Sequence, residues 1–570
     1  MLDILIRSGT VVDGGGGEPF TADVGITGST ISAIGRLAEP ARRVIDAAGL
    51  IVAPGWIDIH THYDGQASWD PELEPSFGSG VTTALMGNCG VGFAPVRPGM
   101  ETRLIELMEG VEDIPGTALH IGMTWGWESF AEYLDILESV ERTFDIGCLV
   151  PHGPLRLWAM GEKVGTDKSA SGEDLARMCD ELRRAMDRGA FGMSTSRTPM
   201  HRTKAGEMTP DFDVDEAELL ALANVVADSD GLLQVVPAGI IGEAPAELRR
   251  DMNLLERIVD RTRVDCHILM FQNSNDPDFY RAQIAQIDRM NDRARVTAQF
   301  GGRGTGSIMG FLGCNPFSHR PSFVEITAQP RECWLSELAR PDVRARILAE
   351  SNIPGTPGAF YESKMEYMYD LGPDCDFEPG PDRNMTAYAR AANRAVDETI
   401  FDFLLDHSDP PRLYLPVTNY AAGDLEAVRH ALPLPNVVLS SSDAGAHVQA
   451  VCDGSVHSFM ISHWTRDRTR GPKVPIEQVV HWLAAKAARS VGLNDRGVLA
   501  PGMKADVNIF SHADLRVLPP RIEYDLPGGA SRIMARVSGY RATIVSGVIT
   551  REFDQATGAR PGRLLRRGCS

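Results

Sequence analysis

Along the middle of the chain, short apolar runs alternate with stretches of helical spacing. Eight runs stand out: WIDIH, VTTALMGN, DIGCLVPHG, GAFGMSTS, LLQVVPAG, VDCHILMFQ, RVTAQFGG and NVVLSSSDAG. Such alternation predicts βα units and a parallel sheet. Eight units predict an α/β fold, a (β/α)8 TIM-like barrel, with chemistry at the C-terminal strand ends. One helix is well marked: Ser171 caps it, Asp174 follows three residues on, and Leu175, Met178, Cys179 and Leu182 keep helical spacing before Gly189. A second starts at Pro475, with Val479, Val480 and Leu483 facing inward.

Both ends have another texture. LDILI, ADVGI and STISAIG near the start, and GMKADVNIF and YRATIVSGVI near the end, are short strands punctuated by Gly and Asp. They predict a small β-sandwich domain built from both termini, residues 1–54 and 498–570, flanking a barrel at 55–497. About 135 residues separate the seventh run from the eighth, longer than an ordinary connection. An insertion at about 302–435 is therefore expected, as a lid or subdomain. Its Phe311, Phe317 and Phe323 read as the insert's own small core.

The 570 residues suffice for a large barrel with additions, and 43% are hydrophobic. Lys and Arg total 56 against 77 Asp and Glu, a net charge of −21. Such a surface repels phosphate backbones and argues against nucleic-acid binding. Nine Cys are scattered from Cys89 to Cys569 with no CxxC pair, which fits a reducing, cytoplasmic compartment better than a disulfide framework. No signal peptide or membrane span is read, and the size and apolar content are compatible with a homo-oligomer.

The chemistry concentrates in APGWIDIHTHYDG. Side chains at i, i+2 and i+4 share one face of a strand, so Asp58, His60 and His62 are expected together at a strand end, where a divalent metal site can begin. Cys89 follows the second run in GNCG, flanked by Gly87 and Gly90, and a thiolate is a strong zinc ligand. Asp443, in SSSDAGAH, ends the eighth run. First and eighth barrel strands are neighbours, so Asp443 arrives beside the two histidines as a metal ligand and proton carrier. His152 and Arg156, His201, Arg197 and Arg202, and Arg303 follow the third, fourth and seventh runs. They are candidate substrate-binding groups, a guanidinium being suited to a carboxylate. Gln272 and Asn273 are candidates for holding amides.

These motifs, with GAFGMSTS and VGLNDRGVLAPGMKADVNIF, resemble the amidohydrolase superfamily, in its D-aminoacylase-like (N-acyl-D-amino-acid deacylase) branch. The resemblance spans about Leu2 to Thr550. It implies Zn2+, one or two ions, held by His60, His62 and Cys89, with Asp443 as ligand and general acid/base, and hydrolysis of a small-molecule amide by metal-activated water. This chain departs from the branch at two ligands. LLQVVPAG has no histidine, and His267 lies too early in VDCHILMFQ, where it reads as structural. Either one zinc is bound, or a residue such as His201 substitutes. The expected activity is zinc-dependent hydrolysis of a C–N amide bond. The alternatives are hydrolysis of a cyclic amide, imide or lactone, and a non-catalytic barrel that binds a small molecule or protein.

Overall fold

The computed structural model describes residues 1–165, 169–440 and 442–568; Cys569 lies outside them. Eight parallel strands lie where the apolar runs predict them: β1 (Trp56–Asp58), β2 (Val81–Met86), β3 (Asp145–Cys148 and Val150–Pro151), β4 (Gly192–Ser196), β5 (Leu232–Val236), β6 (Asp265–Met270), β7 (Val296–Phe300) and β8 (Val437–Leu439). Pairing follows chain order throughout. β3 is interrupted at Leu149, so its first half pairs with β2 and its second with β4. Beyond β1 and β8, Thr61 bridges Ala444 in parallel, and the His62 N–H donates to the Ala444 carbonyl at 2.8 Å. First and last strands thus deliver their ends side by side. The strands are buried almost throughout, as parallel strands covered on both faces must be.

The two marked helices form. Helix Gly172–Asp187 opens with a capping box between Ser171 and Asp174, which satisfies two otherwise orphaned N–H groups. Helix Ile476–His481 buries Val479 and Val480 and runs on through a wider π-type turn, Trp482–Lys486, to Ser490. The chain ends combine in one nine-stranded sheet, in which Val507–Phe510 pairs antiparallel with Ile51–Pro54. Its core includes Ile4, Ile6, Val24, Ile26, Val52, Val507, Ile509 and Ile544. Farther on, the chain returns to β3: the Ile146 N–H donates to Arg563, and its carbonyl accepts from Leu565.

Between β7 and β8 the chain builds a separate apolar cluster around Phe311, Phe317, Phe323, Phe401 and Leu413, the insert's own core expected from its sequence. Buried Glu378 ties this region to the helix after β8. It accepts from Arg468 at 3.0 Å and pairs with His463 at 2.9 Å, contacts that hold its carboxyl down at about 2 against the cost of burial. Among the described residues no helix is long and apolar enough to cross a membrane.

Candidate metal centre

His60 and His62 continue the extended chain beyond β1, Cys89 lies in the turn after β2, and Asp443 lies beyond β8. One ligand atom each from His60, His62 and Cys89 falls within 4.8 Å of the others, and all three residues are buried. His60 Nε2 lies 3.1 Å from Cys89 Sγ and 3.3 Å from Asp443 Oδ1, and His62 Nε2 lies 3.8 Å from the same Oδ1. Two ligands bonded tetrahedrally to zinc at their usual lengths stand roughly 3.3–3.7 Å apart. The His60–Cys89, His60–Asp443 and His62–Asp443 separations lie close to that spacing.

Local backbone makes this approach feasible. Cys89, Asp443 and His447 adopt left-handed φ of 59°, 45° and 50°, a conformation that costs a non-glycine residue energy and clusters at functional sites. Gly87 also has positive φ, and a Cβ there would sit 2.2 Å from the Leu149 carbonyl oxygen. The Cys89 N–H is held by Gln234 Oε1 at 2.9 Å. Asp58, at the end of β1, does not join the cluster. Its carboxylate accepts from the His60 N–H at 3.3 Å and the Ser442 hydroxyl at 2.5 Å, which ties β1 to the residue before Asp443.

The site is rich in acids and free of charge on its imidazoles. Burial lowers His60 to about 4 and His62 well below the usual histidine range, so both are neutral bases. Burial raises Asp443 to about 6 and Glu112 well above the carboxylate range, where Asp443 and Asp64 add to the push. Burial raises the Cys89 thiol too, reinforced by Glu112, Asp443 and Asp211. Neutral imidazoles, a thiol beside acids and four convergent donors make a pocket that a cation would stabilise.

A model of the Amidohydrolase family matches residues 43–307 and 390–551, well over half of the sequence. The chain belongs to the amidohydrolase family. It falls in the D-aminoacylase-like branch, and it is a metal-dependent hydrolase of carbon–nitrogen bonds other than peptide bonds. An N-acyl-D-glutamate deacylase of Alcaligenes xylosoxydans xylosoxydans is 28% identical over 578 residues, covering 100% of this chain and 97% of that one. A D-aminoacylase structure described by its binuclear metal centre superposes with a TM-score of 0.66 at 21% identity, over the whole of both chains. The N-acyl-D-glutamate deacylase from Bordetella bronchiseptica, complexed with zinc and a phosphonate inhibitor that mimics the tetrahedral intermediate, superposes with a TM-score of 0.64 at 23% identity over 99% of each.

In this amidohydrolase the outer candidates divide. His201 stays near the centre: its Nδ1 lies 2.8 Å from the Ser196 hydroxyl, and His447 and His60 are its electrostatic neighbours. His152 is fully buried between Thr195, at 3.0 Å, and Glu218, at 2.9 Å, and Glu218 also takes Arg156 at 2.8 Å. Arg303, expected to hold a substrate carboxylate, is 1% exposed and already paired with Asp453 at 2.6 Å, over the Phe377 ring. Arg202 is exposed and bonds carbonyls of its own loop, Pro199 at 2.8 Å and Gly206 at 3.4 Å. Arg197 pairs with Asp251, and Gln272 and Asn273 hold neighbouring backbone. Arg303 and Arg197 are paired with carboxylates distant in sequence, whereas Arg202 and Asn273 bond within their own loops.

Two neighbours of the centre escape sequence reading. Glu112, just after helix Glu101–Val111, places Oε1 3.4 Å from His62 Nδ1 and Oε2 3.6 Å from His447 Nε2. His62 Nδ1 and Glu112 Oε1 have no other partner among the described residues. His447 was in view within SDAGAH, four residues after Asp443. Nothing about a helix-end Glu in LMEGVED marks it.

Proposed function

We propose that this amidohydrolase removes the acyl group from an N-acyl-D-amino acid, using a single zinc held by His60, His62 and Cys89, with Asp443 as fourth donor. The observation that carries this reading is the convergence of His60, His62 and Cys89 ligand atoms within 4.8 Å of one another, with Asp443 Oδ1 at 3.3 and 3.8 Å from the two imidazoles. The donor set of two imidazoles, a thiolate and a carboxylate suits zinc. Bound there, the ion supplies a Lewis acid for the amide carbonyl and makes water more acidic. Asp443 moves the proton. As the carboxylate it takes one from the attacking water; as the acid it returns it to the leaving nitrogen, which departs as a neutral amine. A carboxylate can serve both halves, as base and then as acid. Glu112 orients His62 from the far side, as a carboxylate on the outer ring nitrogen orients a metal-bound imidazole, and His201 is a candidate substrate contact.

One ion rather than two is favoured by β5 and β6. At their C-terminal ends Val236 and Met270 are 1% and 0% exposed and offer no nitrogen or oxygen donor. The pairing order and the Thr61–Ala444 bridge support a closed (β/α)8 barrel at 55–497 with its centre at the C-terminal mouth. The shared sheet supports a β-sandwich domain formed by 1–54 and 498–570, and the separate cluster supports an inserted subdomain at about 302–435.

The test is a substrate panel with the zinc-loaded protein: N-acetyl-D-amino acids, their L-enantiomers, cyclic amides and lactones. Turnover of D-substrates with one zinc per chain is expected. Turnover of cyclic substrates alone would replace the substrate class, and a protein with no bound zinc would overturn the metal centre.

A further inference from the structure

His267 is the histidine that stops short of the metal centre. It is 1% exposed, and its Nε2 lies 3.1 Å from the carbonyl of Ser490. Ser490 closes its helix, where the last carbonyls lack intrahelical partners. A carbonyl can only accept, so Nε2 carries the hydrogen and Nδ1 of the neutral ring is left with a lone pair. Gln299 Nε2 faces that Nδ1 at 3.2 Å and, as an amide nitrogen, can only donate. This turns Gln299 Oε1 toward His60 Nδ1, at 2.8 Å. An amide oxygen can only accept, so His60 carries its proton on Nδ1, and its Nε2 lone pair is free beside Cys89 and Asp443.

We propose that Ser490, His267 and Gln299 form a one-way hydrogen-bond relay that locks His60 in the Nδ1–H tautomer, the form able to ligate a divalent cation through Nε2. The proposal rests on the metal-centre reading above. His267 and Gln299 are thus positioning residues acting through His60. The order of the relay follows from its backbone end, because the Gln299 amide could flip and each imidazole could change tautomer, whereas the Ser490 carbonyl can only accept.

The relay is tested on metal-free protein by zinc affinity, measured by competition with a chelator, and by the absorption of the cobalt(II) form. Gln299→Leu and His267→Leu are expected to weaken zinc by ~10–100-fold, the usual effect of losing such a partner. His267→Gln, whose side-chain amide offers an acceptor and a donor in the same order, is expected to recover most of that loss. Gln299→Glu still accepts from His60 Nδ1 and is expected to bind zinc within a few-fold of wild type; it serves if the Leu variants do not fold. Undiminished affinity in Gln299→Leu, or a loss in Gln299→Glu as deep as the Leu variants suffer, overturns the relay. A wild-type protein that binds no zinc overturns the metal centre instead, so the two failures are distinguishable.

Discussion

The C-terminal ends of β1, β2 and β8 differ from those of β5 and β6. The first group presents two imidazoles, a thiol and a carboxyl: His60 is bonded to Gln299, His62 lies against Glu112, the Cys89 backbone N–H is held by Gln234, and Asp443 follows Ser442, which bonds Asp58. The second presents Val236 and Met270, packed in the main core. The metal-binding side chains lie on one side of the strand set, while the buried polar groups of β5 and β6, Gln234 and His267, stand earlier in their strands. A buried polar group is costly unless paired, and this asymmetry is the basis of the one-ion proposal.

The severest way to break this contrast is to remove the ion. Dialysis against a chelator is expected to abolish hydrolysis and added zinc to restore it; activity that survives with no metal by elemental analysis would sink the mechanism. Asp443→Asn keeps a donor atom but not the proton. Its kcat should fall by ~10²–10⁴-fold, the usual share of a general acid–base group, with zinc still near one equivalent. Glu112→Ala leaves the first ligands in place and loosens His62, and zinc affinity should fall by ~10–100-fold. The contrast is sharpened by grafting donors onto the apolar side. Val236→His combined with Met270→His should raise zinc stoichiometry from one towards two, and an unchanged single equivalent would show that more than missing donors closes that side. Least of all should Arg202→Ala matter. Its guanidinium serves its own exposed loop, so stability should change by no more than about 0.5 kcal/mol, and kcat/KM should stay level.

The same contrast separates what the sequence makes legible from what it hides. All eight strands announce themselves, because a strand covered on both faces must be an apolar run. His60 and His62 are legible because a period of two puts them on one face, and Cys89 and Asp443 because they sit in short motifs at strand ends. Asp58 obeys the same period, yet it turns its carboxylate to Ser442, a partner 384 residues away. The fate of Arg303 likewise depends on Asp453, 150 residues on, and Glu112 earns its place only through the path of the chain after its helix. Burial and pairing of isolated polar residues are tertiary facts, and no local spacing encodes them. The absence of histidine at the ends of β5 and β6 could be read directly; what stands in that space needed coordinates.

The seam at β3 has a consequence for how the molecule comes into being. Ile146 has both main-chain groups taken by residues 563 and 565, and the Asp145 carboxylate accepts from the Arg563 N–H across 418 positions. During synthesis this edge therefore waits, unmatched, until a segment 418 positions beyond Asp145 has emerged. A nascent protein stalled before that point exposes a raw strand margin to its neighbours, the kind of surface on which chains stick to one another.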